Sequence, residues 1–501
     1  MLNNIEFKVL LVYPNPRKMS LVPGSLALFS ALLKNEGVKV DIFDASLYKQ
    51  KDFEDPDEYL EKNLTVKPFL KNYSKKVKFE SENPVEAFRQ KVQNFEPDLL
   101  AVTCVESTFA YAISLLKSIQ NKKILTILGG VFATFSPEYA LSYNEIDIVC
   151  IGDGERALVE LVNKLRNGHD YSNISNLFIK KNGDIIKNKI GHLTSLDDLP
   201  IGDFEIFNDK RFYRAMAGKI YKMVPVETHR GCPNNCAFCN SPLQNKMYKK
   251  ETGQQYFRAK SIHNVYREIK YFVDKFQAEY IFFWADNFFA YPVKVIEEFC
   301  EMYSEYKLPF FCQSYPVNIN EKKLQLLSKV GLKRLSVGIE HGNETFRKKV
   351  INRNYKNETV IKKLAIVSNY DIELSVNNII GFPDETPDLV MDTIELNRAV
   401  NPHTASCSVF SPFRGTYLRE LCIKKGYLKD KNALSESNDV KSILEMPQFK
   451  KDQIEGKRRT FEFYIRFPKK RWKEIAIAEN LSPGGDKVWK KLSKEYSETY
   501  I

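Results

Sequence analysis

The chain reads as α/β throughout: an N-terminal doubly wound parallel sheet of Rossmann-like type, a partial (β/α)6 barrel of TIM-like type, and a small helical C-terminal appendage. Three observations lead there. Short apolar runs alternate with amphipathic stretches of helical period, the signature of parallel sheets covered by helices. The alternation restarts after a linker near residue 191. Beyond residue 425 the strand-like runs stop and only helical patterning remains. The expected domains are therefore 1–190, 191–425 and 426–501, and a length of 501 residues suits about three domains.

In the first region Lys8–Tyr13 is an apolar β run, Ser25–Lys34 has helical spacing with Gly37 as its stop, and Val38–Phe43 is the next strand. After a charged insertion (about 47–95), strands are expected at Asp98–Thr103, Ile124–Leu128 and Ile146–Ile151, with helices near Ala110–Gln120 and Glu155–Arg166. Ligands of such sheets bind beyond the carboxyl ends of the strands. Those ends carry Pro14-Asn-Pro16, Thr103, Gly129-Gly130 and Gly152-Asp-Gly-Glu155, which include small residues that admit a ligand to the backbone.

In the second region the strands are Met223–Thr228, Tyr280–Trp284, Phe310–Ser314, Arg334–Gly338, Glu373–Ile380 and Ser406–Ser411. The helices between them are amphipathic: within Val293–Tyr306, Val295, Ile296, Phe299, Cys300, Met302, Tyr303 and Tyr306 share a stripe. Thr386 followed by Pro387 marks a helix start. Six such units can curl into an open barrel with its chemistry at the carboxyl mouth, as in barrels of eight. The third region is basic and rich in aromatics (Phe461, Phe463, Tyr464, Phe467, Trp472, Trp489), either a packing piece or a substrate cover.

An apolar fraction of 43% with 28% charged residues describes folded domains rather than a disordered chain. No uninterrupted apolar span reaches the roughly 20 residues of a membrane helix, and Met1–Glu6 lacks the basic and apolar regions of a signal peptide. A cytoplasmic protein is expected. Nine cysteines, an odd count, argue against a disulfide framework. Cys104, Cys150, Cys300, Cys312, Cys407 and Cys422 lie singly among apolar neighbours and read as small core residues. The net charge of +12 is scattered, as at Lys75–Lys78 and Lys469–Lys473. It suits solvated faces and anionic cofactors better than a nucleic-acid partner.

The chemistry concentrates in Thr228-His-Arg-Gly-Cys-Pro-Asn-Asn-Cys-Ala-Phe-Cys-Asn240, directly after the first strand of the second region. The C-x3-C-x2-C spacing of Cys232, Cys236 and Cys239 suits an iron–sulfur cube. Such a cube normally takes four cysteines, so three leave one iron open to a small molecule. His229, three residues before Cys232, keeps a Cys3His zinc site as the alternative.

This loop, with Phe238 before its last cysteine, resembles the defining feature of radical S-adenosylmethionine (SAM) enzymes. Residues 1–425 as a whole resemble the subclass with an N-terminal cobalamin-binding domain. The resemblance implies a 4Fe–4S cluster on Cys232, Cys236 and Cys239, with SAM chelating the open iron. One electron then cleaves SAM to a 5′-deoxyadenosyl radical. Asp286 and Asn287, in Trp284-Ala-Asp-Asn-Phe288, match the pair that holds SAM's amino group, although an Asp-Asn turn is also a common strand ending. Gly338-Ile-Glu340-His341-Gly342 resembles the family's Gly-x-Glu-Ser-Gly, with Glu340 on the ribose hydroxyls and His341 in the serine's place, touching substrate or only the loop. Gly381-Phe-Pro-Asp384-Glu-Thr386 is close to Gly-x-Pro-Gly-Glu-Thr, with Ile379 and the Gly381 backbone beside adenine and Asp384 where glycine is commoner. Pro412-Phe-Arg-Gly415-Thr416 resembles Pro-x-x-Gly-Thr. Gln313 points to the same mouth, toward SAM or substrate, or is a core polar residue.

In the first region Leu128–Thr134, Ser136-Pro-Glu138 and Ile151–Glu155 resemble cobalamin-binding domains. Thr103, Gly129, Gly130 and Gly152 are the expected contacts, the paired glycines leaving room for the cofactor's nucleotide tail. The Asp-x-His-x-x-Gly turn that supplies a cobalt ligand elsewhere is replaced by Tyr13-Pro-Asn-Pro-Arg-Lys-Met19, and His169 is the first histidine of the chain. The implied function is cobalamin-dependent radical SAM C-methylation of an unactivated carbon. One SAM methylates the cobalamin and a second yields the hydrogen-abstracting radical. Expected partners are a small-molecule or peptide substrate and an external electron donor such as flavodoxin or ferredoxin. The alternatives are a non-methylating cyclisation or rearrangement and, from another class, a cobalamin or nucleotide sensor with a structural metal site. A methylthiotransferase fits less well, because its N-terminal domain brings a cysteine trio that Cys104 and Cys150 do not make.

Overall fold

A strand covered on both faces must be apolar along its length, and KVLLVY at Lys8–Tyr13 (β1), with four consecutive buried residues, meets that demand. It lies between β2 (Lys39–Asp44) and β3 (Leu99–Thr103), and the sheet continues through β4 (Leu125–Gly129) to β5 (Ile148–Cys150). These five strands are parallel, with Thr103 level with Gly129. The computed structural model describes residues 6–16, 20–49, 58, 61–62, 64, 66–119, 124–435 and 440–500. Arg17–Met19 of the first strand-end turn, part of the charged insertion and Gln120 lie outside them.

The sheet then departs from the all-parallel expectation. β6 (Leu177–Lys181) and β7 (Asp184–Lys187) add an antiparallel hairpin. Asn182 and Gly183 turn it with φ of 54° and 89°, the geometry an Asn-Gly pair favours. That dipeptide was the readable signal. A second hairpin joins β8 (Tyr213–Met216) to β9 (Lys219–Glu227). Two short extended pieces follow, β10 (His229–Arg230) and β11 (Arg258–Ala259).

The chain divides into two compact units that do not follow sequence order. One comprises residues 1–59, 69–225 and 243–268; the other comprises 60–68, 226–242 and 269–501. The segments 191–225 and 243–268 thus join the first unit, and the C-terminal region is part of the second.

In the second unit β12 (Tyr280–Trp284), β13 (Phe310–Ser314), β14 (Leu332–Glu340), β15 (Glu373–Ile380) and β16 (Thr404–Val409) are parallel neighbours in a curled sheet. Successive side chains of a strand face opposite ways. Phe283, Phe310, Leu335, Val337, Val376 and Ile380 face the helices and are essentially buried. The inner face carries Gln313, Arg334, Ser336, Ser375, Asn377 and Ser406. There Asn377 donates to Ser336 Oγ at 2.8 Å, Ser406 donates to Asn377 Oδ1 at 2.8 Å, and Arg334 pairs with Glu373 at 2.7 Å. A closed barrel of eight fills its interior with branched apolar side chains; this stretch of the inner face is polar instead, beside the rings of Phe282 and Phe311, which stack at 4.4 Å.

The C-terminal helices Lys451–Arg466, Trp472–Glu479 and Pro483–Tyr500 are a packing piece. Ile454, Phe461, Phe463 and Tyr464 share one core with Ile380 and Val409. Glu462 Oε1 accepts the Ala405 N–H of β16 at 2.7 Å, which occupies a hydrogen-bonding group on the open edge of the sheet. Arg398 donates to the carbonyls of Tyr464, Ile465 and Phe467, each within 2.9 Å, and so satisfies the orphan acceptors at that helix's end. Gly456 sets the helix crossing: a Cβ there would lie 2.2 Å from the Glu479 carbonyl oxygen. Gly456→Ala is expected to destabilise the fold by about 1–3 kcal/mol, the usual cost of overpacking. Gly24→Ala, which meets nothing within 4 Å, leaves the thermal midpoint unchanged; paired melts check the contrast.

Candidate functional site

Burial works against ionising a thiol. Cys239 is pushed up to about 12 chiefly by burial, with Cys236, Asp286 and Cys232 adding to the rise. Cys232 and Cys236 also rise through burial. Each of the three sulfurs nevertheless receives an N–H. The Asn234 amide reaches Cys232 Sγ at 3.4 Å, the Arg353 Nε–H reaches Cys236 Sγ at 3.0 Å, and the Ser241 backbone N–H reaches Cys239 Sγ at 3.4 Å. Donors aimed at sulfur are what thiolate ligands of an iron–sulfur cluster use, so the residues present fit that group. The loop itself is pinned from three sides. Ala237 N–H donates to the Ile351 carbonyl, Asn352 donates to the Asn235 carbonyl, and Asn240 donates to the Arg414 carbonyl.

The zinc alternative loses its fourth ligand. His229 is buried, its Nε2 accepts the Asn287 N–H at 3.4 Å, and its ring meets Tyr291 edge-on. Burial pulls its pKa down to about 4, so it is neutral. Among the described residues, no group of three or more His, Cys, Asp or Glu side chains is gathered tightly enough to hold a single metal ion.

Beyond β12, Asp286 is exposed, yet the surrounding protein raises its carboxyl pKa and Glu227 raises it further. Asn287 is buried and fully engaged. Its Oδ1 accepts from Tyr315 N at 3.2 Å and its Nδ2 donates to Asn318 at 3.0 Å. Asp286 is thus exposed, and Asn287 joins the end of β12 to the segment after β13.

Glu340 ends β14 in the left-handed region, φ 66°, where the register slips past Gly338. Its carboxylate folds back so far that a Cβ on Gly338 would lie 2.2 Å from Oε1, which accounts for the glycine. Burial raises the Glu340 pKa and Arg353 lowers it. His341 touches only the loops. It is fully buried and stacks on Phe346; Nδ1 accepts the Asn343 N–H at 3.0 Å, and Nε2 lies 3.1 Å from Glu385 Oε1. Glu385 Oε2 in turn accepts the N–H groups of Gly381 and Phe382, so this pair ties the ends of β14 and β15 together. Gly381 has φ 82°, and a Cβ there would press on Ile454 at 3.3 Å. Asp384 also sits left-handed, φ 67°, held by Lys425 at 2.6 Å and Tyr427 at 2.9 Å. That backbone explains why glycine is commoner there. Gln313 and Ile379 are half-buried on the inner face, and Phe238 lies half-buried near Arg353.

In the first unit the glycines differ in what surrounds them. A Cβ on Gly129 meets nothing within 4 Å. Gly130, φ 101°, exists for close packing, because a Cβ would lie 2.4 Å from the Cys104 carbonyl oxygen. At Gly152 the space belongs to Tyr248, whose hydroxyl oxygen would be 2.2 Å from a Cβ. Tyr248 stacks on Tyr256 at 5.4 Å and accepts the Asp153 N–H at 2.7 Å, while Asp153 also pairs with Arg258. Thr134 stitches the two turns, donating to the Gly130 carbonyl at 3.1 Å and accepting from Gly152 N at 3.0 Å. Thr103 is half-buried beside Gly130. Sequence reading missed Tyr248 and Arg353, and gave Thr134 and Glu385 only as members of their motifs. Arg353 lies 117 residues from Cys236, and no local pattern marks it.

Residues 226–396 match the Radical SAM superfamily, and residues 66–162 match the B12 binding domain. The chain is 26% identical over 394 residues to an uncharacterized methyltransferase of Pyrococcus horikoshii, covering 77% of this chain and 82% of that one. It is 23% identical over 338 residues to the anaerobic magnesium-protoporphyrin IX monomethyl ester cyclase of Rubrivivax gelatinosus, covering 65% and 58%. In fold it is similar to OxsB, a cobalamin-dependent S-adenosylmethionine radical enzyme solved with aqua-cobalamin and S-adenosylmethionine. That match has a TM-score of 0.68 at 14% identity and covers 99% of this chain and 72% of OxsB.

Two outcomes follow from the site's geometry. Below its unfolded value of 6.5, His229 takes up a proton in the unfolded chain that the folded chain refuses until about pH 4. Stability present above pH 6.5 is therefore lost as pH falls toward 4. Denaturant titrations should show the protein losing about 1.4 kcal/mol per pH unit more than His229→Gln across that window. At Asp384, Asp384→Gly should be more stable than Asp384→Ala by about 1–2 kcal/mol, because glycine alone escapes the left-handed penalty; their thermal midpoints give the comparison.

Proposed function

Because the chain joins a B12 binding domain to a radical SAM domain, we propose that it is a cobalamin-dependent radical SAM methyltransferase acting on an unactivated carbon. The observation that carries this is the cysteine loop: three thiols, each given an N–H donor, beside Asp286 and Glu340. Cys232, Cys236 and Cys239 would hold the 4Fe–4S cluster. When bound, the cluster, SAM and cobalamin supply a hydrogen-abstracting radical and a transferable methyl group.

The chain's own residues bind and orient. Asp286 offers a carboxylate to the ammonium of SAM. Glu340 offers acceptors to the ribose hydroxyls, and its position is set by its backbone and by Arg353. Ile379 and the Gly381 turn provide the adenine wall, with Phe238 beside the cluster loop. In the first unit Thr103 and Gly129 face the cobalamin tail, with Gly130, Gly152 and Thr134 shaping the turns around it. The substrate, a small molecule or a peptide, meets the polar inner face that includes Gln313. Reduction comes from an external one-electron donor such as flavodoxin or ferredoxin. Among the described residues no helix is long and apolar enough to cross a membrane.

The likeness to the Rubrivivax cyclase favours a second reading, a radical cyclisation without methyl transfer. Anaerobic, reconstituted protein incubated with SAM, hydroxocobalamin and dithionite separates the two without a substrate. Methyl transfer predicts both 5′-deoxyadenosine and cobalamin-dependent S-adenosylhomocysteine. Deoxyadenosine alone supports the second reading, and neither product rejects both. Gly129→Leu should keep the thermal midpoint and the deoxyadenosine while losing bound cobalt and S-adenosylhomocysteine.

A further inference from the structure

We infer that Arg353 couples the adenosyl site to the cluster, so that a ligand engaging Glu340 changes the guanidinium's hold on Cys236 and raises the cluster's reduction potential. This rests on the reading that Cys236 ligates the cluster and that Glu340 accepts the ribose hydroxyls.

The geometry is that of a fork with three committed prongs. Arg353 is buried, 8% exposed. Its Nε donates to Cys236 Sγ at 3.0 Å, one Nη donates to the Gly338 carbonyl at 2.6 Å, and the other pairs with Glu340 Oε1 at 3.2 Å. The guanidinium lies near the rings of Tyr315, at 4.7 Å, and Phe238, at 5.6 Å. A rigid, planar and permanently charged group bonded this way transmits a change at one prong to another.

Cluster potentials follow net charge, hydrogen bonds to sulfur and solvent exposure. A buried cation with an N–H on a ligand sulfur favours the electron-rich reduced state. The Glu340 carboxylate opposes this by neutralising the same cation. The Glu340 backbone is set at φ 66° on a bulged strand end, and its carboxylate already pairs with Arg353. When its oxygens accept ribose hydroxyls, the loss of charge compensation therefore falls on Arg353. The cation, less neutralised, acts more strongly on Cys236, and the potential rises. Linkage is reciprocal, so the reduced cluster must bind the adenosyl ligand more tightly by the same factor. The polypeptide thus favours electron entry once the ligand is in place.

The test is an electron-paramagnetic-resonance redox titration of the reconstituted full chain, with and without S-adenosylhomocysteine, a probe that carries the ribose and is not reductively cleaved like SAM. In the wild type, the probe should raise the midpoint by an amount matching a tenfold tighter binding to the reduced state, about 59 mV for one electron. Arg353→Lys keeps a charge but cannot span both partners, so its probe-induced shift should fall below a threefold equivalent at normal iron content. Glu340→Gln should start from a higher midpoint and likewise lose most of the shift. It supplies the answer if the lysine variant does not assemble a cluster. Variants that bind the probe and shift as far as the wild type overturn the coupling while leaving the proposed function standing. A wild type that assembles no cluster, or whose spectrum ignores the probe, overturns the reading beneath it.

Discussion

Three mostly buried thiols have to be deprotonated together for this site to exist. Each is disfavoured by burial; Cys236 adds to the rise at Cys232 and Cys239, and Cys232 adds to that at Cys239. As ligands they would be ionised together, and like charges in a low-dielectric pocket repel strongly. A bound cation that deprotonates its ligands removes the conflict, and the surrounding structure has the form of preparation for one. An amide, a guanidinium and a backbone N–H point at the three sulfurs, and the loop carrying them is tied to the segments after β14 and β16.

The strand ends around this loop are strained in a consistent way. Glu340, Gly381 and Asp384 all sit at positive φ, and the His341–Glu385 pair spends its polar groups on holding two of these turns together. Strained backbone persists only where its surroundings over-determine it. Here the buried network supplies that constraint, around an exposed Asp286 and a buried Glu340. The polar inner face of the sheet extends the same logic inward, since hydroxyls and amides there pair with one another in place of an apolar filling.

Much of this was readable from sequence because it depends on period and local spacing. β1, β12, β13 and β15 fall where their apolar runs stand, and Thr386 caps the helix Pro387–Val400 as its position suggests. The β6–β7 hairpin was overlooked although Asn182-Gly183 announces it. What escaped is what depends on contacts between distant segments. Arg353 meets Cys236 across 117 residues, and Tyr248 fills the space at Gly152 from 96 positions away in sequence, close to the 95 that separate it from Asp153. A glycine's purpose is equally hidden: Gly129 faces open space and Gly130 faces a carbonyl, yet they are adjacent and identical. Asn287 bonds across 28 and 31 residues to Tyr315 and Asn318, beyond β13.

The doubly wound unit contributes a second prepared surface, with Thr134 lacing the turns after β4 and β5 and an aromatic–acidic cluster of Tyr248, Tyr256, Asp153 and Arg258 walling one side. No histidine stands on the described strand ends of that sheet. All of this presupposes the cluster. Iron and acid-labile sulfide should therefore be counted on anaerobically purified wild type and on the single variants Cys232→Ala, Cys236→Ala and Cys239→Ala. The account predicts about four irons per wild-type chain and loss of most of them in every variant. Stoichiometric zinc in place of iron, or unchanged iron in the variants, would contradict it.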